Sequence, residues 1–289
     1  MNNDTIFLLT SAVNAINSNN PFEAEKFLDK IFIIDPSSLD AHNLREQHRL
    51  SGNFSDWIGV NAIISPQDDI YKFFVNHPTS KNPVRDYLSD GWRTMVELRD
   101  ILDQYSISLH KCVNFLEFAA GHGRFTRHLA RILKRDQLTV SDVVPGSVDF
   151  LVNTFNTKGF YSTVNPNDLT ITDKFDVIFV LSLFSHLPST VWEQWIKVLY
   201  ASIQPHGVLI FSTHGEKCAY QAKVDIAANG YQFFPSSESN VLDGDIYGTS
   251  FASFEYVKQM ARNALGSKVR IEFKSSHFWG NQDAIIVRG

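Results

Sequence analysis

The sequence predicts an α/β fold in which a doubly wound, mostly parallel sheet follows an all-helical N-terminal region. From residue 113 onward, near-continuous apolar segments alternate with amphipathic ones, a pattern typical of parallel strands covered by helices on both faces. A turn with two glycines separates the first apolar segment from the helix after it. The last two apolar segments have no helix between them, which predicts an antiparallel strand at the edge.

The bulk composition limits the class of protein. The 289 residues are 44% hydrophobic, which is enough for a substantial core. The net charge of −5 lacks the basic surface that nucleic acid or an anionic membrane attracts. The two cysteines, Cys112 and Cys218, do not make a disulfide framework, and the N-terminus lacks a signal-peptide pattern. We therefore expect a cytoplasmic protein with no nucleic-acid or membrane partner.

Residues 1–80 are expected to form a helical extension, because apolar residues recur at helical spacing around a break at Asp35–Pro36. The segment SNNPF at residues 18–22 is echoed by SGNF at residues 51–54, about the period of a tetratricopeptide repeat. Two weak copies leave two interpretations open, a degenerate repeat and an ordinary helical extension. Such helices also offer a surface to a protein partner.

The alternating elements fall within residues 81–289. A capping box from Thr190 to Glu193 predicts the start of one helix. In the helix after the glycine turn, Arg124, Arg127 and Arg131 are expected on the polar face. For the helix before the first strand, the predicted inner stripe is Trp92, Met95, Val96, Arg99 and Leu102. The predicted strands are VNFLEFA, QLTVSD, FDVIFVL, GVLIFST, KVRIEFK and DAIIVRG.

The turn in VNFLEFAAGHGRFTRHLA predicts a nucleotide site, because glycine lets a backbone approach a ligand closely at the start of a helix. A dinucleotide site requires a third glycine where this chain has Thr126. Glu117 precedes Gly121 by four residues. A carboxylate there would repel a pyrophosphate and attract the ammonium of an amino-acid group.

The pattern E-x-A-x-G-x-G, followed by SDVVPGSVDFL, VNPNDL, FDVIFVLSLFSHLP and IQPHGVLIFSTHG, resembles the class I S-adenosylmethionine-dependent methyltransferases over residues 85–289. The resemblance implies a Rossmann-like, seven-stranded sheet that binds S-adenosylmethionine and releases S-adenosylhomocysteine. It implies that Asp142 binds the ribose hydroxyls and that Asn165, with Asp168 nearby, meets the adenine amino group. The implied cofactor residues are Glu117, Ala119, Gly121, Gly123, Phe125, Asp142, Val143, Asn165, Asp168, Leu169, Leu181 and Arg93.

Three residues depart from the family pattern. Ala119 replaces a glycine, Asn165 replaces an acid, and His206 stands where a second glycine is usual. These departures leave open a non-catalytic binding or scaffold protein that has lost the cofactor. The presence of Glu117 and Asp142 argues against that loss.

Two histidines are candidates for a general base that takes a proton from the acceptor. His186 and His214 follow the fourth and fifth predicted strands, at the edge where open α/β sheets bind ligands. For each, the alternative is a role in holding the shape of its loop. We find no spacing of ligands that predicts a metal site.

Residues 215–252 form a long insertion that is expected to act as a lid on the substrate side. Its aromatic residues Phe233, Phe234 and Tyr247, together with Tyr87, are candidate substrate contacts. Arg93 is a candidate partner of the cofactor carboxylate, with an ordinary surface ion pair as its alternative. For the aromatic residues of the insertion, the alternative is that they pack on the sheet edge and do not contact the acceptor.

The predicted function is methyl transfer from S-adenosylmethionine to a hydroxyl of a small-molecule or glycan-type acceptor. A nucleic-acid methyltransferase is disfavoured, because LSLFSHLP stands where the amino-methylating enzymes carry an Asn/Asp/Ser-Pro-Pro-aromatic motif. A protein methyltransferase that recruits its partner through the N-terminal helices remains an alternative.

Overall fold

The computed structural model describes residues 3–112, 114–237, 239 and 241–289. The chain divides into two compact units, residues 1–89 and 90–289. The division lies within one continuous helix, α6 (Pro83–Gln104). It falls later in the chain than the predicted boundary between residues 80 and 81. None of the helices in the described ranges is long and apolar enough to cross a membrane.

The first unit consists of helices, as predicted. Small and branched apolar residues, among them Ala12, Ala24 and Leu28, pack between the first helices. A second cluster surrounds Tyr71 and Tyr87. The helices that precede α6 are α1 (Asn3–Asn17), α2 (Pro21–Ile34), α3 (Leu39–Gln47), α4 (Phe54–Ile58) and α5 (Asp69–Asn76).

The second unit is built on a seven-stranded sheet. Its strands are β1 (Phe115–Phe118), β2 (Leu138–Asp142), β3 (Lys158–Tyr161), β4 (Phe175–Val180), β5 (Ile203–His214), β8 (Arg270–Phe278) and β9 (Gln282–Arg288), and a separate hairpin is formed by β6 (Tyr231–Phe234) and β7 (Thr249–Ala252). The remaining helices are α7 (Thr126–Ile132), α8 (Ser147–Phe155), α9 (Trp192–Ala201), α10 (Glu216–Ala222) and α11 (Phe254–Leu265). The strand order is β3-β2-β1-β4-β5-β9-β8.

The sheet has the predicted mixed character. Strands β1 to β5 pair in parallel, and β9 pairs antiparallel with both β5 and β8. Alternate residues of β1 serve two cores: Phe115 faces α7 and α8, whereas Leu116 and Phe118 face α9 and α11. The sequence pattern did not reveal β3, because this strand has only four residues and no buried one.

Three local predictions are wrong in whole or in part. Of the predicted inner stripe of α6, Leu102 is fully buried and Met95 packs against the core, but Trp92 is 61% exposed and Arg99 is also exposed. Leu98 and Ile101, which the predicted stripe left out, are fully buried. Arg127 is buried instead of solvated, with Nε donating to the carbonyl of Gly123 at 2.9 Å. A 3-10 turn over Ser189–Val191 precedes α9, and no side chain caps the N-terminus of that helix. The capping box that was predicted from Thr190 is therefore absent.

Candidate functional site

The site forms where β1, β2, β4 and β5 end at the same edge of the sheet. After β1 the chain turns left-handed at Ala119, with a φ of 61°, and again at Gly121 and Gly123. The amide of Ala120 donates to the carbonyl of Ser141 at 3.0 Å, so the turn is fixed to the end of β2.

The two glycines of the turn have different roles. A Cβ atom added at Gly121 would meet nothing within 4 Å, whereas one at Gly123 would lie 2.5 Å from the ring of Phe155 and 2.7 Å from Leu151. Gly123 therefore permits close packing of the turn against α8. Gly121 borders open space, which a bound ligand would fill, so the turn fits a cofactor that lies against its backbone.

Glu117 lies at the end of β1 and is 5% exposed. Its carboxylate Oε2 accepts a hydrogen bond from Thr126 Oγ1 at 2.7 Å. Burial raises the pKa of Glu117 to about 8, and the bond from Thr126 and the nearby Arg124 only partly oppose this effect. A buried acid beside an open cradle suits a ligand that brings a positive charge.

Asp142 ends β2 and braces the same turn. Its Oδ2 accepts the amide hydrogen of Gly121 at 2.7 Å, and its Oδ1 accepts that of Val144 at 2.8 Å. Burial raises the pKa of Asp142, while these backbone donors act in the opposite direction. Each carboxylate oxygen has two lone pairs, so Asp142 can still accept hydrogen bonds from a ligand's hydroxyl groups.

The second half of α6 is fixed to the glycine turn. Gly91 lies so close that an added Cβ would stand 2.0 Å from the carbonyl oxygen of Arg124. The Arg124 guanidinium bonds to Asp90 at 2.6 Å and lies over the ring of Trp279 at 4.7 Å. Arg93, the predicted partner of the cofactor carboxylate, pairs instead with Glu97 at 2.8 Å.

The other predicted cofactor residues are found in different surroundings. Asn165 is exposed and its side chain accepts the amide hydrogen of Asn167, which starts a 3-10 turn. Asp168 in that turn is also exposed, and Leu169 after it packs against the core. Phe125 is a core residue, 5.2 Å from the ring of Phe179. Val143 and Leu181 are half-buried at the ends of β2 and β4.

The two candidate bases lie together, with ring centres 5.7 Å apart. His186 Nδ1 faces the carbonyl of Gly248 at 2.6 Å, and His214 Nδ1 faces that of Ser250 at 3.2 Å. A carbonyl only accepts, so each Nδ1 carries a hydrogen. Burial lowers the pKa of His214 to about 4, and the neighbouring His186 adds to this.

The predicted lid is hydrogen-bonded, at and just before β7, to the segment that follows β4. The amide of Ser250 donates to the carbonyl of Ser185 at 2.7 Å, and the amide of Gly248 donates to that of His186 at 2.9 Å. Tyr247 stacks on His186 with a ring separation of 4.5 Å. Of the other predicted substrate contacts in the insertion, Phe233 packs on the core and Phe234 is 40% exposed.

Tyr87 does not have the position that was predicted for a substrate contact. Its side chain is fully buried in the helical unit, and its hydroxyl donates to Asp68 at 2.5 Å. Burial inside that core explains why an aromatic residue near the start of the second unit misled the sequence interpretation.

Sequence reasoning missed Ser182 and Gln282, which form one hydrogen-bonded group with His214. Gln282 opens β9, far along the chain from β4, so only the sheet order brings the two together. Ser182 has a positive φ just after the buried strand β4, which is a signal of such a site. Backbone dihedral angles, however, cannot be read from a sequence. Within the described ranges, no group of three or more His, Cys, Asp or Glu residues is arranged to hold a metal ion.

The comparisons with known proteins agree with this geometry. The family model described as methyltransferase domain (Methyltransf_12) matches residues 116–209. A curated relative, the malonyl-[acyl-carrier protein] O-methyltransferase of Calditerrivibrio nitroreducens, is 31% identical over 113 residues, which are 37% of this chain and 41% of the relative. The chain thus matches about two fifths of that protein's length.

Solved structures of methyltransferases also resemble the chain. An S-adenosylmethionine-dependent methyltransferase from Clostridium acetobutylicum is 15% identical, with a TM-score of 0.48 over 68% of this chain and 90% of that one. The plantazolicin methyltransferase BpumL, in complex with SAH, is 13% identical, with a TM-score of 0.49 over 77% and 95%. Over residues 116–209 of its α/β unit, the chain is thus similar to methyltransferase domains.

Proposed function

We propose that the chain transfers a methyl group from S-adenosylmethionine to an oxygen atom of a small-molecule or glycan-type acceptor. The observation that carries the cofactor assignment is the open space in front of Gly121, bordered by two buried acids, Glu117 and Asp142. In this proposal Glu117 attracts the ammonium group of the cofactor and Asp142 accepts from its ribose hydroxyls.

The cofactor supplies a methyl group that is already activated on a sulfonium. The contribution of the protein is therefore alignment and exclusion of water, with proton removal from a hydroxyl acceptor as a further aid. His186 is the better candidate base of the two histidines. His214 Nε2 already accepts from the Gln282 amide at 3.2 Å, and the lowered pKa of His214 makes it a weak base.

Oxygen as the methylated atom is supported by the curated relative, whose name states O-methylation of malonyl-[acyl-carrier protein]. A hydroxyl and a carboxylate are both oxygen acceptors, and only the hydroxyl has to lose a proton during the reaction. A pH-independent rate above about pH 6 would favour a carboxylate acceptor.

A protein acceptor is the second candidate. The helical unit exposes large apolar side chains, including Phe7 at 68%, Trp57 at 72% and Ile33 at 82%, and exposed apolar residues on a helical extension favour contact with another protein.

The first test is isothermal titration of the protein with S-adenosylhomocysteine. We expect binding, and we expect Asp142→Ala to weaken it by about ten-fold because bonds from ligand hydroxyls to a carboxylate are lost. An Asp149→Ala variant on the exposed face of α8 is the matched control. Absence of binding in folded protein would overturn the proposed function.

The second test uses S-adenosylmethionine with a labelled methyl group and three classes of acceptor: methyl glycosides, a malonyl thioester and unmodified peptides. Label in a glycoside or the thioester supports the proposal and chooses between hydroxyl and carboxylate. Label in the peptides alone would replace it by the protein-methyltransferase alternative.

A further inference from the structure

A closed ring of hydrogen bonds joins β5, β9 and the segment after β4. The amide of Ser182 donates to Ser212 Oγ at 2.7 Å, Ser212 Oγ donates to Gln282 Oε1 at 2.6 Å, and Gln282 Nε2 donates to Ser182 Oγ at 2.7 Å. Ser212 is fully buried and Gln282 is 3% exposed, whereas Ser182 is half-buried. The ring thus supports a single residue that reaches the surface of the site.

The direction of each bond in the ring is determined. The backbone amide can only donate to Ser212, so the Ser212 hydroxyl hydrogen is directed at the Gln282 oxygen. The Gln282 amide nitrogen then faces Ser182 Oγ and the Nε2 of His214. His214 accepts there, because its Nδ1 hydrogen is used on the Ser250 carbonyl. The reversed amide would require a doubly protonated His214, which its lowered pKa opposes.

Ser182 is held in an unfavourable conformation. Its φ of 62° is left-handed, a strained conformation for a residue with a side chain. Such conformations persist where surrounding contacts impose them, and they cluster at ligand sites. Here the ring provides those contacts. Within the ring, Ser182 Oγ accepts a hydrogen bond from Gln282 Nε2.

The register of the sheet shows where Ser182 lies relative to β1. In the sheet Phe118 pairs with Val180, so the chain leaves β1 at Ala119 beside the point where it leaves β4 at Leu181 and Ser182. Ser182 thus lies at the edge of the sheet where β1, which carries Glu117, also ends. The Ser182 hydroxyl also accepts a hydrogen bond from Ser185 Oγ at 3.4 Å, at the long limit for a hydrogen bond between hydroxyls.

We infer that Ser182 binds the carboxylate at the amino-acid end of the cofactor, and that Ser212 and Gln282 are positioning residues for its hydroxyl. This inference rests on the proposed function. A hydroxyl donor forms its strongest bonds with an anionic oxygen, and the amino-acid end of the cofactor has one carboxylate. Arg93, the cation that sequence reasoning assigned to this carboxylate, is paired with Glu97.

The test compares two ligands that differ only at this end. S-adenosylhomocysteine carries the amino-acid group, and 5′-methylthioadenosine has the same adenosine and sulfur without it. We expect Ser182→Ala to weaken S-adenosylhomocysteine by about ten-fold, the loss of one bond to a charged group, and to leave 5′-methylthioadenosine within two-fold. Gln282→Leu is expected to give the same selective loss, because the hydroxyl is no longer oriented. Ser202→Ala, which removes a buried hydroxyl at the opposite end of β5, is the matched control and should change neither affinity.

Each other outcome overturns the inference. Equal loss for both ligands would mean that the variants disturb the whole cradle, and no loss for either would mean that Ser182 does not touch the cofactor. A wild-type protein that binds both ligands equally would overturn the inference while leaving the proposed cofactor in place. A wild-type protein that binds neither ligand would overturn the proposed function as well.

Discussion

At the scale of single residues, the site depends on acids that are buried before any ligand arrives. Glu117 is surrounded by protein and accepts a hydrogen bond from Thr126. The resulting pKa of about 8 means that Glu117 is mostly protonated near neutral pH. The sequence identified this residue, but its protonation state follows from burial, which only the fold determines.

We predict that binding of S-adenosylhomocysteine releases a proton near pH 7. The ligand's ammonium favours the carboxylate form of Glu117, so the proton held in the free protein must leave. Titration calorimetry in two buffers with different ionisation enthalpies measures this release. Glu117→Gln should abolish it, and an unchanged release in that variant would assign the proton to another group.

The same shift predicts how stability depends on pH. The folded-state pKa of about 8 is above the ordinary value of 4.5, so the folded protein holds this proton more tightly than the unfolded chain. The stability that Glu117 contributes is therefore complete below about pH 4.5 and is lost as pH rises through about 8. Thermal unfolding should decline more across this range in wild type than in Glu117→Gln. Parallel pH profiles would contradict the assigned pKa.

The two glycines of the turn predict separable effects. Gly121→Ala adds a Cβ in open space at a φ of 57°, so we expect a destabilisation of about 1–2 kcal/mol and a larger loss of ligand affinity. Gly123→Ala drives a Cβ into Phe155 and Leu151, so unfolding is expected at a markedly lower temperature. Thermal unfolding and titration together check the pair. The reverse ranking would show that Gly121 does not border the ligand.

At the scale of elements, α6 packs directly against the glycine turn. Gly91 touches the Arg124 carbonyl, and Glu97 accepts the Trp279 amide at 3.0 Å. Trp92 was predicted to lie on the inner face because it is large and apolar. The face of α6 that packs against the turn carries Gly91, and Trp92 is 61% exposed. Periodicity alone does not distinguish these two phases of the helix.

We predict that Gly91→Ala weakens ligand binding without direct contact with the ligand. The new methyl group would overlap the Arg124 carbonyl, so α6 and the turn must separate, at a cost of about 1–3 kcal/mol. Titration with S-adenosylhomocysteine and thermal unfolding measure both consequences. Asp100→Ala on the exposed face of α6 is the control. Wild-type stability of Gly91→Ala would mean that the helix can shift freely.

At the scale of the whole molecule, the chain consists of two units with separate cores. Leu28 is fully buried in the helical unit, and no cofactor residue is assigned to that core. The tetratricopeptide interpretation of these helices stays a prediction, as does a protein partner. Because the two cores are separate, a variant that destabilises one core can be tested for its effect on the function of the other unit.

We predict that Leu28→Ala loosens the helical unit and leaves cofactor affinity unchanged. Truncation of a buried leucine costs about 2–5 kcal/mol, and this loss acts on α1, α2 and α3. Hydrogen exchange of these helices should rise, while titration with S-adenosylhomocysteine gives the wild-type constant. Phe22→Ala, a change at a 66% exposed position, should affect neither. A fall in affinity for Leu28→Ala would mean that the helical unit supports the cofactor site.

The sequence by itself determined the alternation of elements, the glycine turn and the acids at the ends of β1 and β2, because local patterns of apolarity and small residues encode them. It predicted six of the seven strands of the main sheet but not the short β3. It also identified His186 and His214 without indicating that they face the carbonyls of Gly248 and Ser250, just before and within β7.

Only the tertiary structure decided which residues meet. Gln282 reaches Ser182 because β9 lies beside β5 in the sheet. Tyr87 is buried in the helical core, where its hydroxyl donates to Asp68. Hydrogen-bond direction, left-handed backbone angles and raised pKa values arise from contacts between residues far apart in the chain. Those contacts are set by strand order and burial, which a single sequence does not express.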